Sequence, residues 1–277
     1  MIIWLASFPR SGNTFLRILL HHLYGLQTYS GFLSGDDLSW VGAGAMTGHD
    51  ALPQELRRAL QEGDRARLAP FHESPEIYPI KSHLAAAETA VSELPAILMV
   101  RDVHDTLVSF AWYLVNIETM HARAETLGAL LRQPRRNAGL LRARVAGWLS
   151  DLGLKDRVFR AYLRQLVRYP RWSQLNSSWM DRPSGGAPFI LRFEDLVARP
   201  REMVQQALAS LGLDLRPVGD RFPDFAELQS IFPAFFREGK IGAGHRCFPP
   251  RLHDQLLAVH GATMQRLGYP PRRPGAS

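Results

Sequence analysis

The fold of this chain is decided by Ile2-Ile3-Trp4-Leu5-Ala6-Ser7-Phe8-Pro9-Arg10-Ser11-Gly12-Asn13-Thr14, an apolar run that leads into a loop rich in Gly, Ser and Thr. An apolar helical pattern follows from Phe15, so the segment reads as strand, tight loop and helix. A loop at a helix N-terminus directs unpaired backbone N–H groups at an anion. The side chains that add donors here are Arg10, Ser11, Asn13 and Thr14.

This loop is expected to hold phosphate or sulfate, although it matches neither of two common phosphate-binding motifs. The Walker A motif needs Gly, four residues and then Gly-Lys-Ser/Thr, and here Gly12 stands alone with no Lys after it. The dinucleotide fingerprint Gly-x-Gly-x-x-Gly is also absent. The alternative is an ordinary strand-to-helix turn whose Ser and Thr cap the helix.

Further short apolar runs predict strands at residues 77–81, 96–101 and 189–192, in addition to residues 2–6. Helical patterns separate them, for example at residues 14–24, 53–68, 85–93 and 106–121. This alternation predicts an α/β three-layer sandwich with a central parallel sheet of about four to five strands and a phosphate-binding loop after the first strand. We expect a single domain over residues 1–277, with a flexible tail at 270–277.

The net charge of +7 is concentrated in one region. Residues 123–171 carry twelve basic and three acidic side chains. Within this region a helical pattern places arginines on one face, at positions 157, 160, 164, 168 and 171. Such a stripe favours an anionic or membrane-proximal partner, or is a solvated face. Nucleic acid is not expected, because aromatic residues are not interleaved in a base-stacking pattern.

Cysteine content and hydropathy indicate the compartment. Cys247 is the single cysteine, so an intrachain disulfide is excluded and a reducing, cytoplasmic location is expected. The longest apolar segment, residues 14–26, is interrupted by Arg17, His21 and His22 and is too short to cross a bilayer. No transmembrane segment is therefore expected.

Two further segments carry chemistry at strand ends. Lys81 and His83 stand two residues apart where a strand closes, so both side chains can face the same crevice. His83 can accept a proton near neutral pH and Lys81 offers a compact positive charge. The alternative is a surface Lys and a capping His that opens the next helix. Arg101 ends the next strand and Ser109 lies in the following helix, and together they could grip a phosphate.

The alternative for Arg101 is a salt bridge to Asp102 or Asp105. Taken in order, however, these motifs resemble the cytosolic-type sulfotransferases, which transfer a sulfuryl group from 3′-phosphoadenosine 5′-phosphosulfate (PAPS). Leu191-Arg192-Phe193-Glu194-Asp195-Leu196 is similar to the aromatic-Glu-Asp-Leu element of that family. Arg237-Glu238-Gly239-Lys240-Ile241-Gly242 is similar to its Arg-x-Gly-x-x-Gly loop. The resemblance covers residues 2 to about 250.

The resemblance implies a role for each matching residue. The 5′-phosphosulfate would be held by Arg10, Ser11, Gly12, Asn13 and Thr14. The 3′-phosphate would be held by Arg101 and Ser109, with Arg237 and Gly239 closing over it. Phe15 and Phe193 would lie beside adenine. His83 would be the general base, Lys81 would contact the sulfuryl oxygens, and Arg10 would stabilise the leaving phosphate.

The chain departs from the family pattern at several of these positions. Arg10 stands where vertebrate members carry Lys, and an Arg keeps the charge but does not give up a proton. Phe193 replaces a common Tyr, and Glu238 and Gly244 replace residues that are often Lys and Trp. The composition and length resemble bacterial members that modify secondary metabolites, which implies a small-molecule alcohol or phenol as acceptor, anionic if the stripe at residues 157–171 meets it.

No metal is required by this scheme, because no His, Cys or Asp cluster with metal-ligand spacing is evident. Whether the protein forms a homodimer stays open. Two other functions are compatible with single features of the sequence. A nucleotide kinase would use the loop after the first strand but would need the missing Walker Lys. A non-catalytic polyanion-binding protein would use the basic stripe.

Overall fold

The structure is a computed structural model that describes residues 1–30, 43–89, 91–118, 137–231, 233, 236 and 240–269. The chain divides into two compact units. Unit 1 comprises Met1–Arg101 and Arg171–Phe222, and unit 2 comprises Asp102–Pro170 and Pro223–Ser277.

Unit 1 is built on a sheet whose described strands are β1 (Ile2–Ser7), β2 (Tyr29–Ser30), β3 (Tyr78–Ser82), β4 (Ala96–Val100) and β5 (Phe189–Arg192). Its α-helices are α1 (Asn13–Tyr24), α2 (Ala43–Met46), α3 (Gln54–Glu62), α4 (Arg65–Glu73), α8 (Arg171–Met180), α9 (Phe193–Ala198) and α10 (Pro200–Ser210). A short 3₁₀-helix spans Ala86–Glu88.

The sheet has the order β2-β3-β1-β4-β5, and every pair is parallel. β1 lies at the centre, between β3 and β4, and all its residues are buried. A strand buried on both faces needs a continuous apolar run rather than an alternating one, which explains why residues 2–6 contain no charge. The predicted α/β fold with a central parallel sheet is therefore confirmed, and the described residues contribute five strands to it.

The parallel arrangement brings the carboxyl ends of the strands to one edge of the sheet. Ala6 pairs with Ser82, Ser7 with Met99, and Val100 with Arg192. The residues that follow β1, β3, β4 and β5 therefore emerge side by side. In open α/β sheets this is the edge where ligands bind.

Helices α1 and α10 cover one part of this sheet with apolar side chains. The core is formed by residues with at most 8% exposure, among them Leu5, Leu16, Leu19, Leu20, Met99, Leu191, Val204 and Leu208. Burying a side chain of this size is worth about 1.5–3 kcal/mol relative to leaving it exposed. This packing fixes the start of α1 against the ends of the strands.

Unit 2 contains the helices α5 (Val103–Tyr113), α6 (Ala138–Leu149), α7 (Lys155–Arg168), α11 (Phe225–Ile231) and α12 (Pro250–Arg266) among its described residues. Two π-helical turns, Leu114–Glu118 and Ser150–Leu154, and a 3₁₀-helix, Ala243–Cys247, complete it. Trp112 of α5 stacks on Phe159 of α7 with ring centroids 4.4 Å apart. This aromatic pair joins the two helices within the unit.

The predicted arginine stripe divides between two elements. Helix α7 buries Val158, Phe159, Leu163 and Val167, and its exposed residues include Arg157, Arg160, Arg164 and Arg168. Arg171 begins α8 instead, where its guanidinium makes two hydrogen bonds of 2.8 Å to the carboxylate of Glu88. The stripe therefore comprises four arginines on α7.

Two local predictions were wrong, and one strand was not predicted. The pattern at residues 53–68 forms two helices, because Gly63 takes a positive φ of 66° and Asp64 caps the second helix by accepting from the N–H groups of Ala66 and Arg67. The pattern at residues 85–93 gives only the 3₁₀-helix Ala86–Glu88. Strand β2 was missed. Two segments, residues 27–47 and 122–137, are expected from their composition to line the acceptor site, and residues 270–277 are the predicted tail. Residues 31–42, 119–136 and 270–277, and with them much of these segments, lie outside the described residues.

Within the described part of the chain, no helix combines the length and the apolar character needed to cross a membrane.

Candidate functional site

The loop between β1 and α1 lies at the carboxyl edge of the sheet and has an unusual backbone. Arg10 has a φ of 69°, the one positive value among described residues other than glycine. Gly12 has a φ of 105° and precedes α1. A left-handed residue other than glycine costs roughly 1–2 kcal/mol. Such strain is concentrated at ligand sites, where the surrounding structure holds it.

The donors of this loop fit an anionic ligand. The N–H groups in the first turn of any α-helix have no partner within the helix. Helix α1 begins at Asn13, and no capping side chain accepts a hydrogen bond from these groups. The hydroxyl of Ser11 is buried at 1% exposure and has no hydrogen-bond partner among the described residues. Leaving a buried hydroxyl unsatisfied costs about 1–3 kcal/mol. A phosphate or sulfate oxygen would satisfy both the helix terminus and this hydroxyl.

Asn13 has a different role from the one expected for its side chain. Its amide nitrogen donates to the Leu5 carbonyl at 2.8 Å and to the Ser7 hydroxyl at 3.1 Å, and the residue is 4% exposed. Both amide hydrogens are therefore used inside unit 1. The side chain of Asn13 fixes the loop against β1, and its backbone N–H is the group that remains at the helix terminus.

His83 follows β3 and is oriented by the end of β1. Its Nδ1 lies 2.7 Å from the carbonyl oxygen of Ser7, which can only accept, so Nδ1 carries the proton. The Ser7 hydroxyl lies 3.2 Å from the same nitrogen. In the neutral ring this leaves a lone pair on Nε2. The main chain of the first strand thus selects the tautomer that a general base needs.

The environment keeps the His83 ring neutral. Burial lowers the pKa of His83 to about 3, the positive charge of Lys81 adds to the effect, and Arg17 and Arg10 contribute in the same direction. The hydrogen bond to Ser7 opposes them. Both Lys81 and Arg10 therefore act electrostatically on this imidazole, as expected if the three residues share a site. Below neutral pH the ring still offers its lone pair.

Phe193 and Arg101 lie against the same loop. The Phe193 ring packs beside Gly12, and the guanidinium carbon of Arg101 lies 4.5 Å from the centre of that ring. An Arg stacked on an aromatic face directs its N–H groups outward in the plane of the guanidinium, a geometry that suits binding of a phosphate. The structure therefore brings together two residues that the sequence placed at the nucleotide. Phe15 instead makes an edge-to-face contact with Phe222, with centroids 6.3 Å apart.

Replacing Gly12 with Ala is expected to destabilise unit 1 by at least about 2 kcal/mol. A Cβ at this position would lie 2.4 Å from Cδ2 of Phe193 and 2.8 Å from Cε of Met99, and its φ of 105° is unfavourable for any L side chain. Chemical denaturation would measure the change, with Gly139→Ala as the control, because a Cβ there meets nothing within 4 Å. Equal stability of both variants would contradict a tight contact between the loop and Phe193.

Three further predicted site residues do not belong to the described part of unit 1. Ser109 lies in α5 of unit 2 and is half-buried. Arg237 and Gly239 lie outside the described residues. The segment that follows them is clamped within unit 2 by Asp105, whose buried carboxylate accepts hydrogen bonds of 2.7 Å from the N–H groups of Gly242 and Gly244. Sequence reasoning missed this clamp, since it treated Asp105 only as a partner for Arg101.

Gly244 is explained by the same clamp. A Cβ there would lie 2.7 Å from the backbone nitrogen of Asp105. The close approach of two main chains therefore accounts for a glycine at a position where the family resemblance suggested Trp.

Comparison with known proteins agrees with this geometry. A family model described as the sulfotransferase domain matches residues 2–229. No curated protein sequence matches the chain. Among solved structures, mouse sulfotransferase SULT7A1 complexed with PAP is similar with a TM-score of 0.57 and 16% identity, over 95% of this chain and 84% of that one.

A structure of retinol dehydratase in a complex with retinol and PAP gives a TM-score of 0.45 and 14% identity, over 95% of this chain and 81% of that one. At 16% identity the match to SULT7A1 shows similarity of fold alone. The family model spans the loop between β1 and α1, the segment with Lys81 and His83, and the strand that precedes Phe193. The chain therefore belongs to the sulfotransferase domain family.

Proposed function

We propose that this PAPS-dependent sulfotransferase sulfates a hydroxyl group, of an alcohol or phenol, on a small-molecule acceptor, with His83 as the general base and 3′,5′-ADP as the second product. The observation that carries the proposal is the hydrogen bond of 2.7 Å from His83 Nδ1 to the Ser7 carbonyl. It leaves Nε2 as an acceptor at the edge of the sheet where the anion-binding loop lies.

In this reaction PAPS supplies the sulfuryl group and a leaving group, 3′,5′-ADP. The acceptor oxygen forms a bond to sulfur as the bond from sulfur to the bridging phosphate oxygen breaks. His83 Nε2 takes the hydroxyl proton, and the resulting imidazolium keeps its bond from Nδ1 to Ser7. General-base catalysis of this kind contributes about 10²–10⁴ in rate.

The residues of the loop fit the phosphosulfate. The open N-terminus of α1 and the buried Ser11 hydroxyl offer neutral donors, and Arg10 adds charge. We expect Arg10 and Lys81 to stabilise the charge that develops on the bridging and sulfuryl oxygens. Arg10 does so without giving up a proton, because a guanidinium stays charged at any relevant pH.

The nucleotide would be held by residues at the neighbouring strand ends. Arg101 would bind the 3′-phosphate through its guanidinium N–H groups, and the Phe193 ring on which it stacks would lie beside adenine. Ser109, Arg237 and Gly239 would complete the 3′-phosphate contacts, and Phe15 would flank adenine from the start of α1.

The activity is expected to persist at mildly acidic pH. Because burial and the nearby cations lower the pKa of His83 to about 3, the ring stays neutral where an ordinary His with a pKa of 6.5 would protonate. The acid limb of kcat/KM should therefore lie below pH 5. In the unfolded chain His83 has its ordinary pKa of 6.5, so between about pH 3 and pH 6.5 the unfolded state binds more protons than the folded state. The free energy of unfolding therefore decreases as the pH falls through this range. The pH dependence of kcat/KM should be measured together with circular dichroism, which shows whether the protein is still folded at each pH. An acid limb near pH 6.5 in folded protein would contradict the lowered pKa of His83.

The proposed activity is tested by a transfer screen. Radiolabelled PAPS is offered with phenols, sugars, lipids and glycopeptides, and transfer to at least one hydroxyl acceptor is expected. Thermal shifts with 3′,5′-ADP, ATP–Mg²⁺ and heparin separate the two other functions, since a specific ligand stabilises the fold in proportion to ln(1 + [L]/Kd). Stabilisation by heparin alone, or by ATP–Mg²⁺ and not 3′,5′-ADP, would overturn the proposal.

A further inference from the structure

A separate group of ionisable side chains meets within unit 2. Asp102, His104 and His245 each place one potential ligand atom within 4.8 Å of the other two. Asp102 caps the N-terminus of α5, His104 lies in its first turn, and His245 belongs to the 3₁₀-helix Ala243–Cys247. Sequence spacing predicted no metal cluster because His245 is far from the other two residues along the chain.

The separations in this group are those of metal ligands and exceed those of strong hydrogen bonds. Asp102 Oδ1 lies 3.3 Å from His104 Nδ1 and 3.5 Å from His245 Nε2. A charge-assisted N–H···O bond measures about 2.7–2.9 Å. With bonds of about 2.0–2.1 Å to Zn²⁺, the edge of a ligand tetrahedron is about 3.3 Å.

The buried histidine provides an independent observation. His104 is completely buried, and its Nδ1 makes no hydrogen bond to any described residue although it faces Asp102. A buried polar atom left without a hydrogen bond indicates a missing partner. A cation between Nδ1 and the carboxylate would give Nδ1 a partner.

The opposite side of His104 is already organised as metal sites require. Its Nε2 lies 3.0 Å from Nδ1 of His253, so a ring that binds metal through Nδ1 can donate its remaining N–H to that acceptor. Asp102 Oδ1 also accepts from the backbone N–H of His104 at 2.8 Å, which fixes the carboxylate. These outer contacts hold two of the three ligands in place.

We propose that Asp102, His104 and His245 form a site for one Zn²⁺ ion, bound through Oδ1, Nδ1 and Nε2, with water in the fourth position. Two imidazoles and one carboxylate are a ligand set that suits Zn²⁺. The rings of His104 and His245 stack with centroids 3.8 Å apart, and binding would require the His245 ring, whose side chain is 30% exposed, to turn until its Nε2 lone pair faces the ion. The site lies wholly within unit 2 and does not depend on the proposed sulfuryl transfer.

Zinc at this position would tie the 3₁₀-helix Ala243–Cys247 to the start of α5. Asp105 already joins the same two segments through its bonds to Gly242 and Gly244. A bound ion adds a second link, so we expect the metal to stabilise the folded chain rather than to create its fold.

The test uses the full-length protein after removal of metal with a chelator. One equivalent of Zn²⁺ should bind, as counted by elemental analysis after gel filtration, and Co²⁺ should give the intense visible absorption of a four-coordinate site. At 100-fold excess over Kd, Zn²⁺ should raise Tm by at least about 4 °C. Absence of a bound equivalent would overturn the proposal.

The ligands are assigned with a matched pair of variants. His245→Ala removes a partly exposed ligand and should weaken Zn²⁺ binding at least 10-fold, with loss of the Co²⁺ spectrum. His72→Ala removes an exposed histidine of α4 and should leave both unchanged. The Tm of each metal-free variant establishes that it folds. Unchanged Zn²⁺ affinity in folded His245→Ala, or an equal loss in His72→Ala, would overturn the assignment.

Discussion

Replacing His83 with Asn is expected to lower kcat by about 10²–10⁴-fold while the affinity for 3′,5′-ADP stays almost unchanged. The Asn amide nitrogen can occupy the place of Nδ1 and continue to donate to the Ser7 carbonyl, which His83 contacts at 2.7 Å. Asn has no group at the place of Nε2 and cannot take the acceptor's proton. The substitution therefore removes the base and keeps the local hydrogen bond.

The measurement pairs steady-state sulfation rates with calorimetric binding of 3′,5′-ADP. His72→Ala, at an exposed position of α4, is the control and should retain full turnover. If His83→Asn keeps a rate near that of the parent protein, His83 is not the base. If the affinity for 3′,5′-ADP falls together with turnover, His83 stabilises the nucleotide-binding loop and does not act as the general base.

The strands β1, β3, β4 and β5 could be predicted from the sequence, because the strands of a parallel sheet covered on both faces are unbroken apolar runs. Residues 189–192 were predicted with the bounds that β5 has in the structure, and the strand at residues 2–6 is one residue longer. Strand β2 contains only Tyr29–Ser30, which is too short to show a period. Gly63 and Asp64 are ordinary helix-ending and helix-capping residues, so the break between α3 and α4 could have been found.

For the site, local sequence predicted which residues reach the edge of the sheet but not their partners. The spacing of Lys81 and His83 and the loop before α1 were evident. The donation from His83 to the main chain of Ser7 depends on the pairing of β1 with β3. The hydrogen bond from the Asn13 amide to Leu5 depends on the path of the loop that brings the start of α1 back to β1. Contacts between residues 76 positions apart, as for Ser7 and His83, leave no periodic trace.

The second large effect is expected for Arg101→Ala, which should raise the Kd for 3′,5′-ADP by about 10–150-fold. Arg101 follows β4, and its guanidinium lies 4.5 Å from the centre of the Phe193 ring beside Gly12. Hydrogen bonds to a charged group are worth about 1.5–3 kcal/mol, and 1.4 kcal/mol corresponds to tenfold in affinity. Removing the guanidinium should weaken binding through the 3′-phosphate in particular.

Comparison with adenosine 5′-phosphate, which lacks the 3′-phosphate, makes the assignment specific. The parent protein should prefer 3′,5′-ADP, and Arg101→Ala should lose most of that preference while it binds adenosine 5′-phosphate as before. The preference of Arg101→Lys for 3′,5′-ADP should lie between those of the parent protein and Arg101→Ala, because Lys keeps the charge but lacks the planar guanidinium that stacks on Phe193. Arg199→Ala, at an exposed ion pair with Glu202, controls for net charge. An equal loss for both nucleotides in Arg101→Ala would instead mean that Arg101 orders Phe193 and the loop, because only a direct contact distinguishes ligands that differ by the 3′-phosphate.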